Sequence, residues 1–123
     1  MAKTILIVDD SGSLRTVVNL SLTRAGYQVV EAGDGQEALE RLKKLDKVHL
    51  IVSDVNMPRM DGITFLKQVK ADPRTKFTPV VMLTTENQAE KMEQGRAAGA
   101  KAWIVKPFSP PTLVDAVSKL VLP

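Results

Sequence analysis

Short apolar runs rich in β-branched residues alternate with longer segments of helical periodicity along the whole chain. This alternation is typical of strand–helix–strand units, in which successive strands lie parallel. The runs that predict strands are Thr4–Asp9, Tyr27–Glu31, Val48–Ser53, Pro79–Thr84 and Ala100–Val105. The segments that predict helices are Leu14–Arg24, Gln36–Leu45, Ile63–Ala71, Asn87–Ala98 and Pro110–Leu120.

Five such strands joined through helices predict a three-layer, doubly wound α/β fold with a five-stranded parallel sheet. Right-handed crossovers place helices on both faces of such a sheet. The 123 residues suffice for one core, and no linker or repeat interrupts them. We therefore expect a single domain over residues 1–123.

The first predicted helix has recognisable ends and an apolar side. Ser11 or Ser13 is placed to cap its N-terminus, and Gly26 is typical of the residue that ends a helix. The side chains expected to face the core are Leu14, Val17, Val18, Leu20 and Leu22.

Composition and charge exclude several kinds of site. The chain has no cysteine, so it has neither a disulfide nor a thiolate metal site. Its one histidine, His49, precedes an apolar strand, and we assign it a structural role. The net charge of +3 is spread over every helix and interleaved with acids, so no nucleic-acid interface is predicted. No apolar segment reaches the ~18 residues of a membrane span, and a signal peptide is lacking, so we expect a cytoplasmic protein without membrane insertion.

Residues able to do chemistry follow four of the five predicted strands. In an open parallel sheet, ligands bind beyond the carboxyl ends of the strands. Taken singly, each residue has a structural interpretation, as a helix cap, a loop acid, a strand-end hydroxyl or a solvated amine. Their joint occurrence at one edge favours a single site. The residues are Asp9 and Asp10, Asp54, Thr84 and Lys106.

Three carboxylates at one edge repel one another and therefore need a cation. Oxygen ligands without histidine or cysteine favour Mg²⁺, with Mn²⁺ as a substitute. The three carboxylates, Mg²⁺ and the Lys106 ammonium together give a formal charge of zero. The oxygens of an incoming phosphoryl group would then contact the metal, Lys106 and the Thr84 hydroxyl. Asp54, on the central strand, is the best-placed nucleophile, while Asp9 and Asp10 are better placed as metal ligands.

The motifs at these positions resemble those of receiver domains of two-component response regulators, in particular the stand-alone chemotaxis regulators. The resemblance covers essentially the whole chain, and the motifs are specific when taken together at these spacings. It implies a flavodoxin-like (βα)5 fold with strand order 2-1-3-4-5 and a receiver domain without an output domain. The motifs are Ile7-Val-Asp-Asp10, Asp54-Val-Asn-Met-Pro58, Met60-Asp-Gly62, Leu83-Thr84 and Lys106-Pro-Phe108.

The resemblance implies that Asp54 accepts a phosphoryl group from a phosphohistidine of a CheA-like sensor histidine kinase. It also implies that Asp10 and Asp54 bind Mg²⁺ through their side chains, Asn56 through its backbone carbonyl, and Asp9 mostly through water. Lys106 then holds the phosphoryl oxygens, and its bond to Pro107 is cis.

Two switch residues are also implied. Thr84 moves to bond the phosphoryl group, and the aromatic residue three positions before the lysine, here Trp103, turns inward. Tyrosine or phenylalanine is more usual there, so inward packing and a partner-binding surface aromatic both stay open for Trp103. Gly95 costs about 1 kcal/mol relative to alanine, and either softens a switching helix or is a harmless surface glycine. Asn56 and Glu86 are placed to tune hydrolysis.

The expected function is that of a monomeric phosphoacceptor that dephosphorylates itself slowly rather than an enzyme. Its partners would be the kinase, a flagellar motor switch protein and a phosphatase, with output through the region of Met92, Lys101, Trp103 and Val105.

A phosphorelay intermediate or phosphate sink would carry the same site. A metal-dependent phosphatase is disfavoured because Asn56 stands where such enzymes have a second acid. A flavin or nucleotide module is disfavoured because no Gly-rich phosphate loop follows the first strand.

Overall fold

The computed structural model describes residues 2–85 and 89–121, which form one parallel sheet with helices on both faces. The strands are β1 Thr4–Val8, β2 Gln28–Ala32, β3 Leu50–Asp54, β4 Val80–Thr85 and β5 Ala102–Lys106. The helices are α1 Gly12–Arg24, α2 Gly35–Lys44, α3 Gly62–Ala71, α4 Ala89–Ala97 and α5 Pro110–Leu120. The sheet order is β2-β1-β3-β4-β5, so the predicted fold class and strand order are confirmed. No helix in the described ranges is long and apolar enough to cross a membrane.

The central strand β3 is buried at every position. A strand covered on both faces needs an apolar side chain at nearly every position, which explains the unbroken Leu50-Ile-Val run. In the register of the sheet, Val8 pairs with Ser53, and Asp54 pairs with Leu83. The residue that follows β1, Asp9, therefore lies level with Asp54.

Each face of the sheet has its own apolar core. Helices α1 and α5 cover one face, where Val18, Leu22, Leu113 and Val117 are buried against the sheet. Helices α2 and α3 cover the other face, and Ala98 and Ala100, which follow α4, also pack there. The buried residues of α2 and α3 on that face are Ala38, Leu42, Ile63, Phe65, Leu66 and Val69.

Polar N-caps set the start of four helices within the described ranges. Each cap side chain accepts a hydrogen bond from the backbone N–H three residues later, which pairs a donor that the helix itself leaves open. Of the two candidates that the sequence offered, Ser11 and not Ser13 caps α1. The other caps are Asp34 before α2, Asp61 before α3 and Ser109 before α5. Gly26 follows α1 with φ of +100°, again as predicted.

The predicted apolar side of α1 is wrong at two positions. Val17 and Leu20 are 48% and 50% exposed, whereas Val18 and Leu22 are buried. Residues four apart lie on one side of a helix, so the core takes Val18 and Leu22, and Val17 and Leu20 fall on the solvent side. The described strand ends lie within two residues of the predictions. The predicted start of α4 at Asn87 lies outside the described residues.

His49 has the structural role that its position predicted. Its Nδ1 accepts a hydrogen bond from the backbone N–H of Thr4 over 3.0 Å, which ties the start of β1 to the segment before β3. Burial, and then the charges of Lys3 and Lys47, hold the pKa of His49 below its ordinary value, which favours the neutral ring.

Candidate functional site

Three aspartates meet at the carboxyl edge of the sheet. Asp9 and Asp10 follow β1, Asp54 ends β3, and each offers a carboxylate oxygen within 4.8 Å of those of the other two. Asp9 and Asp54 are buried, whereas Asp10 is exposed. Oxygen donors of this kind suit a hard divalent cation that keeps part of its water shell, so the three acids could hold a metal ion.

Lys106 joins this group from the end of β5. Its Nζ lies 3.2 Å from Asp9 Oδ2 and 3.2 Å from Asp54 Oδ1, so one ammonium bridges the two buried acids. The Lys106–Pro107 peptide bond is cis, as the resemblance implied. The structure therefore brings together four of the predicted site residues, Asp9, Asp10, Asp54 and Lys106.

Burial and charge shift the pKa values of Asp54 and Lys106. Burial, and then the neighbouring Asp9 carboxylate, raise the pKa of Asp54 above its ordinary value, although Lys106 and the backbone N–H of Asn56 oppose this. Burial by itself lowers the pKa of Lys106, but the combined attraction of Asp54 and Asp9 outweighs it, and the net shift is upward. One ammonium does not fully offset the carboxylates, so a further cation would relieve the remaining repulsion.

The backbone around Asp54 is held by short contacts to β4 and α3. The N–H of Val55 donates to Leu83 O over 3.0 Å, and the N–H of Gly62 donates to Val55 O over 2.7 Å. A Cβ on Gly62 would lie 2.1 Å from the carbonyl oxygen of Asp54, which no side chain tolerates. Gly62 is therefore required where α3 starts against the Asp54 backbone, a role that its motif alone did not reveal.

The loop between Asp54 and α3 is also tied to α2, by residues that the sequence interpretation did not assign. Arg59 has a left-handed backbone with φ of 65°, which is costly for a residue with a side chain. Its guanidinium forms an ion pair with the buried carboxylate of Asp34, with Nε 3.0 Å from Oδ2. The backbone N–H of Glu37, and then Arg59, hold the pKa of Asp34 below its ordinary value.

The remaining predicted site residues lie around this cluster. Thr84 is buried in β4, one residue beyond the partner of Asp54 in the register, and its hydroxyl donates to Thr85 O over 3.3 Å. Asn56 is exposed, two residues after Asp54. Glu86 lies outside the described residues.

Trp103 packs inward against α4, and Gly95 is what makes room for it. A Cβ on Gly95 would lie 2.1 Å from Cζ2 and 2.4 Å from Cη2 of the indole. Gly95 is buried, so its interpretation as a harmless surface glycine is wrong. Like Ala98 and Ala100, the indole also packs on the core, and its Nε1 is buried without a hydrogen-bond partner among the described residues. Of the region expected to carry the output, Val105 is 40% exposed.

The fold and this edge of the sheet define a class of protein. Residues 5–118 match the family described as the response regulator receiver domain. Because this match covers nearly the whole chain, the chain belongs to the response-regulator receiver family.

Within that family, the chain is similar to several chemotaxis proteins. It is 40% identical over 112 residues to chemotaxis protein CheY1 of Helicobacter pylori, covering 90% of each chain. It is 38% identical to chemotaxis protein CheY of Thermotoga maritima, covering 98% of each. Its structure resembles that of the chemotaxis response regulator CheY4 of Vibrio cholerae with a TM-score of 0.91 and 46% identity, over 98% of this chain and 99% of that one. The chain is thus a receiver domain that resembles CheY regulators.

Proposed function

We propose that this protein is a stand-alone response regulator that accepts a phosphoryl group on Asp54 and thereby changes its binding to a partner in chemotaxis. The observation that carries the proposal is the bridging of Asp9 and Asp54 by Lys106, at 3.2 Å from each. The carboxylate of Asp54 can attack a phosphoryl group. The negative charge of that group can be neutralised by the fixed ammonium and by a cation that the acids hold.

In the proposed step, a carboxylate oxygen of Asp54 attacks the phosphorus of a phosphohistidine on a sensor histidine kinase. The new O–P bond forms as the N–P bond breaks, and the imidazole leaves with the bonding electron pair and takes up a proton. Lys106 is already within reach of Asp54 and would follow the transferred oxygens. Thr84 would bond a phosphoryl oxygen from the end of β4.

Mg²⁺ fits the donor set, which consists of carboxylate oxygens from Asp9, Asp10 and Asp54 with the exposed Asn56 loop beside them. When bound, the ion supplies positive charge for the phosphoryl oxygens, and Mn²⁺ would serve in its place. These three residues would form the binding site for the ion. Asp9 and Asp54 are fixed by burial, and Asp10 lies on the solvent side, where the ion would enter with its waters.

Phosphorylation would act as a switch because it adds about −1.5 to −2 units of charge to a cluster whose carboxylates Lys106 and a bound Mg²⁺ would together balance. Thr84 and Lys106 are the groups able to respond to it. Trp103 lies on β5, three residues before Lys106, and its indole packs against Gly95 of α4. CheY-type receivers in general bind histidine kinases and motor switch proteins, and we propose the same two kinds of partner here, in the cytoplasm. Asn56 is the described residue proposed to tune autodephosphorylation, and Glu86 is proposed for the same role from the sequence alone.

The test is intact-mass analysis after incubation with acetyl phosphate and Mg²⁺. Wild type should gain one phosphoryl group, while Asp54→Asn and a chelator-treated sample should gain none. Asp61→Asn is a matched control, because it changes an aspartate of the same loop that caps α3 rather than facing the cluster. A phosphoryl group found on Asp54→Asn, or on wild type without metal, would overturn the assignment.

A second comparison separates a motor regulator from a phosphorelay intermediate or phosphate sink. A regulator should bind a flagellar motor switch protein several-fold more tightly when phosphorylated. A relay intermediate should instead pass its phosphoryl group to a second histidine protein. Turnover of small phosphate esters would favour the metal-dependent phosphatase.

A further inference from the structure

Arg15 on α1 reaches back to the backbone between the two aspartates that follow β1. Its Nη1 donates to the carbonyl oxygen of Asp9 over 2.5 Å. Strand β2 ends at Ala32, whose carbonyl accepts the N–H of Asp9 over 3.1 Å, so the sheet pairs one backbone group of Asp9 and Arg15 pairs the other.

The guanidinium is itself held by a chain of side chains. Arg15 Nε donates to Glu31 Oε1 over 3.1 Å, and Asn19 Nδ2 donates to Glu31 Oε2 over 2.7 Å. Glycines line the guanidinium: added Cβ atoms on Gly12 and Gly33 would lie 3.8 Å and 3.7 Å from its terminal nitrogens. Asn19, Glu31 and Arg15 thus form a network from α1 and β2 to the Asp9 carbonyl.

The contact matters because the Asp9 carbonyl belongs to the peptide group that joins Asp9 to Asp10. The side chain of Asp9 has its own anchors, since its Oδ1 accepts the N–H of Ser11 over 2.8 Å and its Oδ2 lies 3.2 Å from Lys106. Asp10 is exposed, and the orientation of that peptide group is one of the constraints on where its carboxylate lies. A peptide plane held from Arg15 aims Asp10 at the other two acids.

We propose that Arg15, set by Glu31, is a positioning residue for the metal site, acting through the peptide between Asp9 and Asp10. This inference rests on the proposed function, since it assumes that the three acids bind Mg²⁺. Glu31 balances the charge of Arg15, so the arginine acts through its forked donors rather than through added positive charge. A lysine there would keep the charge but could not serve Asp9 and Glu31 together in the same geometry.

The test is calorimetric titration of the unphosphorylated protein with MgCl₂, for wild type, Arg15→Lys, Arg15→Gln and Glu31→Gln. Groups that orient metal ligands typically contribute about 10- to 100-fold in affinity, so we expect Mg²⁺ to bind about tenfold more weakly to both Arg15 variants than to wild type. The loss of affinity in Glu31→Gln should be smaller than in the Arg15 variants. Arg41→Gln is the matched control: it removes an exposed arginine–glutamate pair on α2, with 3.7 Å between Nη2 and Glu37 Oε1, and should bind Mg²⁺ as wild type does.

Phosphorylation by acetyl phosphate gives a second readout. In the Arg15 variants the half-saturating Mg²⁺ concentration should rise about tenfold, while the rate at saturating Mg²⁺ should stay near that of wild type. Excess Mg²⁺ would not restore a variant that had merely lost its fold, and circular dichroism in chelator identifies such a variant. If Arg15→Gln does not fold, Arg15→Lys and Glu31→Gln carry the test.

Two failures are distinguishable. Unchanged Mg²⁺ affinity in the folded Arg15 variants would overturn the positioning role and leave the phosphoacceptor function intact. Wild type that binds no Mg²⁺ and takes up no phosphoryl group would instead overturn the proposed function itself.

Discussion

Two buried glycines, Gly62 and Gly95, both lack room for a side chain, but the atoms that leave no room differ. A Cβ on either would meet another atom at 2.1 Å. At Gly62 that atom is the backbone carbonyl oxygen of Asp54, whereas at Gly95 it is Cζ2 of the Trp103 side chain. A backbone oxygen at the end of a central strand cannot move away, but an indole on the edge strand β5 can turn.

The helices that these glycines belong to differ in the same sense. Helix α3 buries Gly62, Ile63, Phe65, Leu66 and Val69, whereas Gly95 is the one buried residue of α4. A helix with few buried side chains is held weakly and moves at low cost. The proposed phosphoacceptor Asp54 thus lies beside a tightly packed helix, while α4, with Trp103 against it, is the more loosely held neighbour on the same face of the sheet.

Gly62→Ala should show the largest effect. We expect a loss of about 3 kcal/mol in the free energy of unfolding, at the upper end for overpacking, because the obstructing atom is backbone. Gly12→Ala is the control, since Gly12 occupies the same first position in α1 and its added Cβ would have no neighbour closer than 3.8 Å. Urea denaturation measures both. Equal, small effects in the two variants would mean that α3 is not pressed against Asp54.

Gly95→Ala should cost less, about 1 kcal/mol, because a higher helix propensity offsets part of the overpacking. The indole should turn outward, and the emission of Trp103, the only tryptophan, should shift to longer wavelength.

The same substitution in a Trp103→Phe background should be neutral or stabilising, since the smaller ring frees the space. The two positions should therefore be coupled by about 1–2 kcal/mol in a double-mutant cycle. Additive effects, with unchanged emission, would contradict the seating of the indole against Gly95.

Removing the ion pair between Asp34 and Arg59 should have the smallest effect on the free energy of unfolding. This effect should be present at neutral pH and disappear in acid. The folded-state pKa of Asp34 lies below its ordinary value of 3.8, so its contribution is present above that pH and is lost as pH falls through the lowered value. Asp34→Asn keeps a side-chain cap on α2 but removes the charge. Because Arg59 is 64% exposed, we expect a loss of well under 1 kcal/mol at pH 7.

Denaturation of wild type and Asp34→Asn between pH 2 and 7 would measure this tie. The difference between them should shrink below about pH 3.8 and vanish in stronger acid. Arg59→Gln should remove only part of the same difference, because the backbone N–H of Glu37 is the larger cause of the lowered pKa of Asp34. A difference that stayed constant down to pH 2 would mean that the cap, and not the charge, carries the contribution of Asp34.

The site was more predictable than the helix faces. Parallel strands must bring their carboxyl ends to one edge, so the acids and the lysine could be assigned from their places in the chain alone. The face of α1 was mispredicted because its apolar residues cover more than one side, and only the sheet decides which side is covered. Arg15 had no motif to mark it, since its partners, the Asp9 carbonyl and Glu31, are met through the pairing of β1 with β2.

By itself, the sequence determined the alternation of strands and helices, the edge at which the candidate site lies and the residues found there, because these follow from the order of residues along the chain. The tertiary structure alone decided that Gly62 touches the Asp54 backbone, that Trp103 lies in the space left by Gly95, and that Arg15 holds the Asp9 carbonyl. Each of these depends on a distance between separate elements, set to within about 1 Å by close packing.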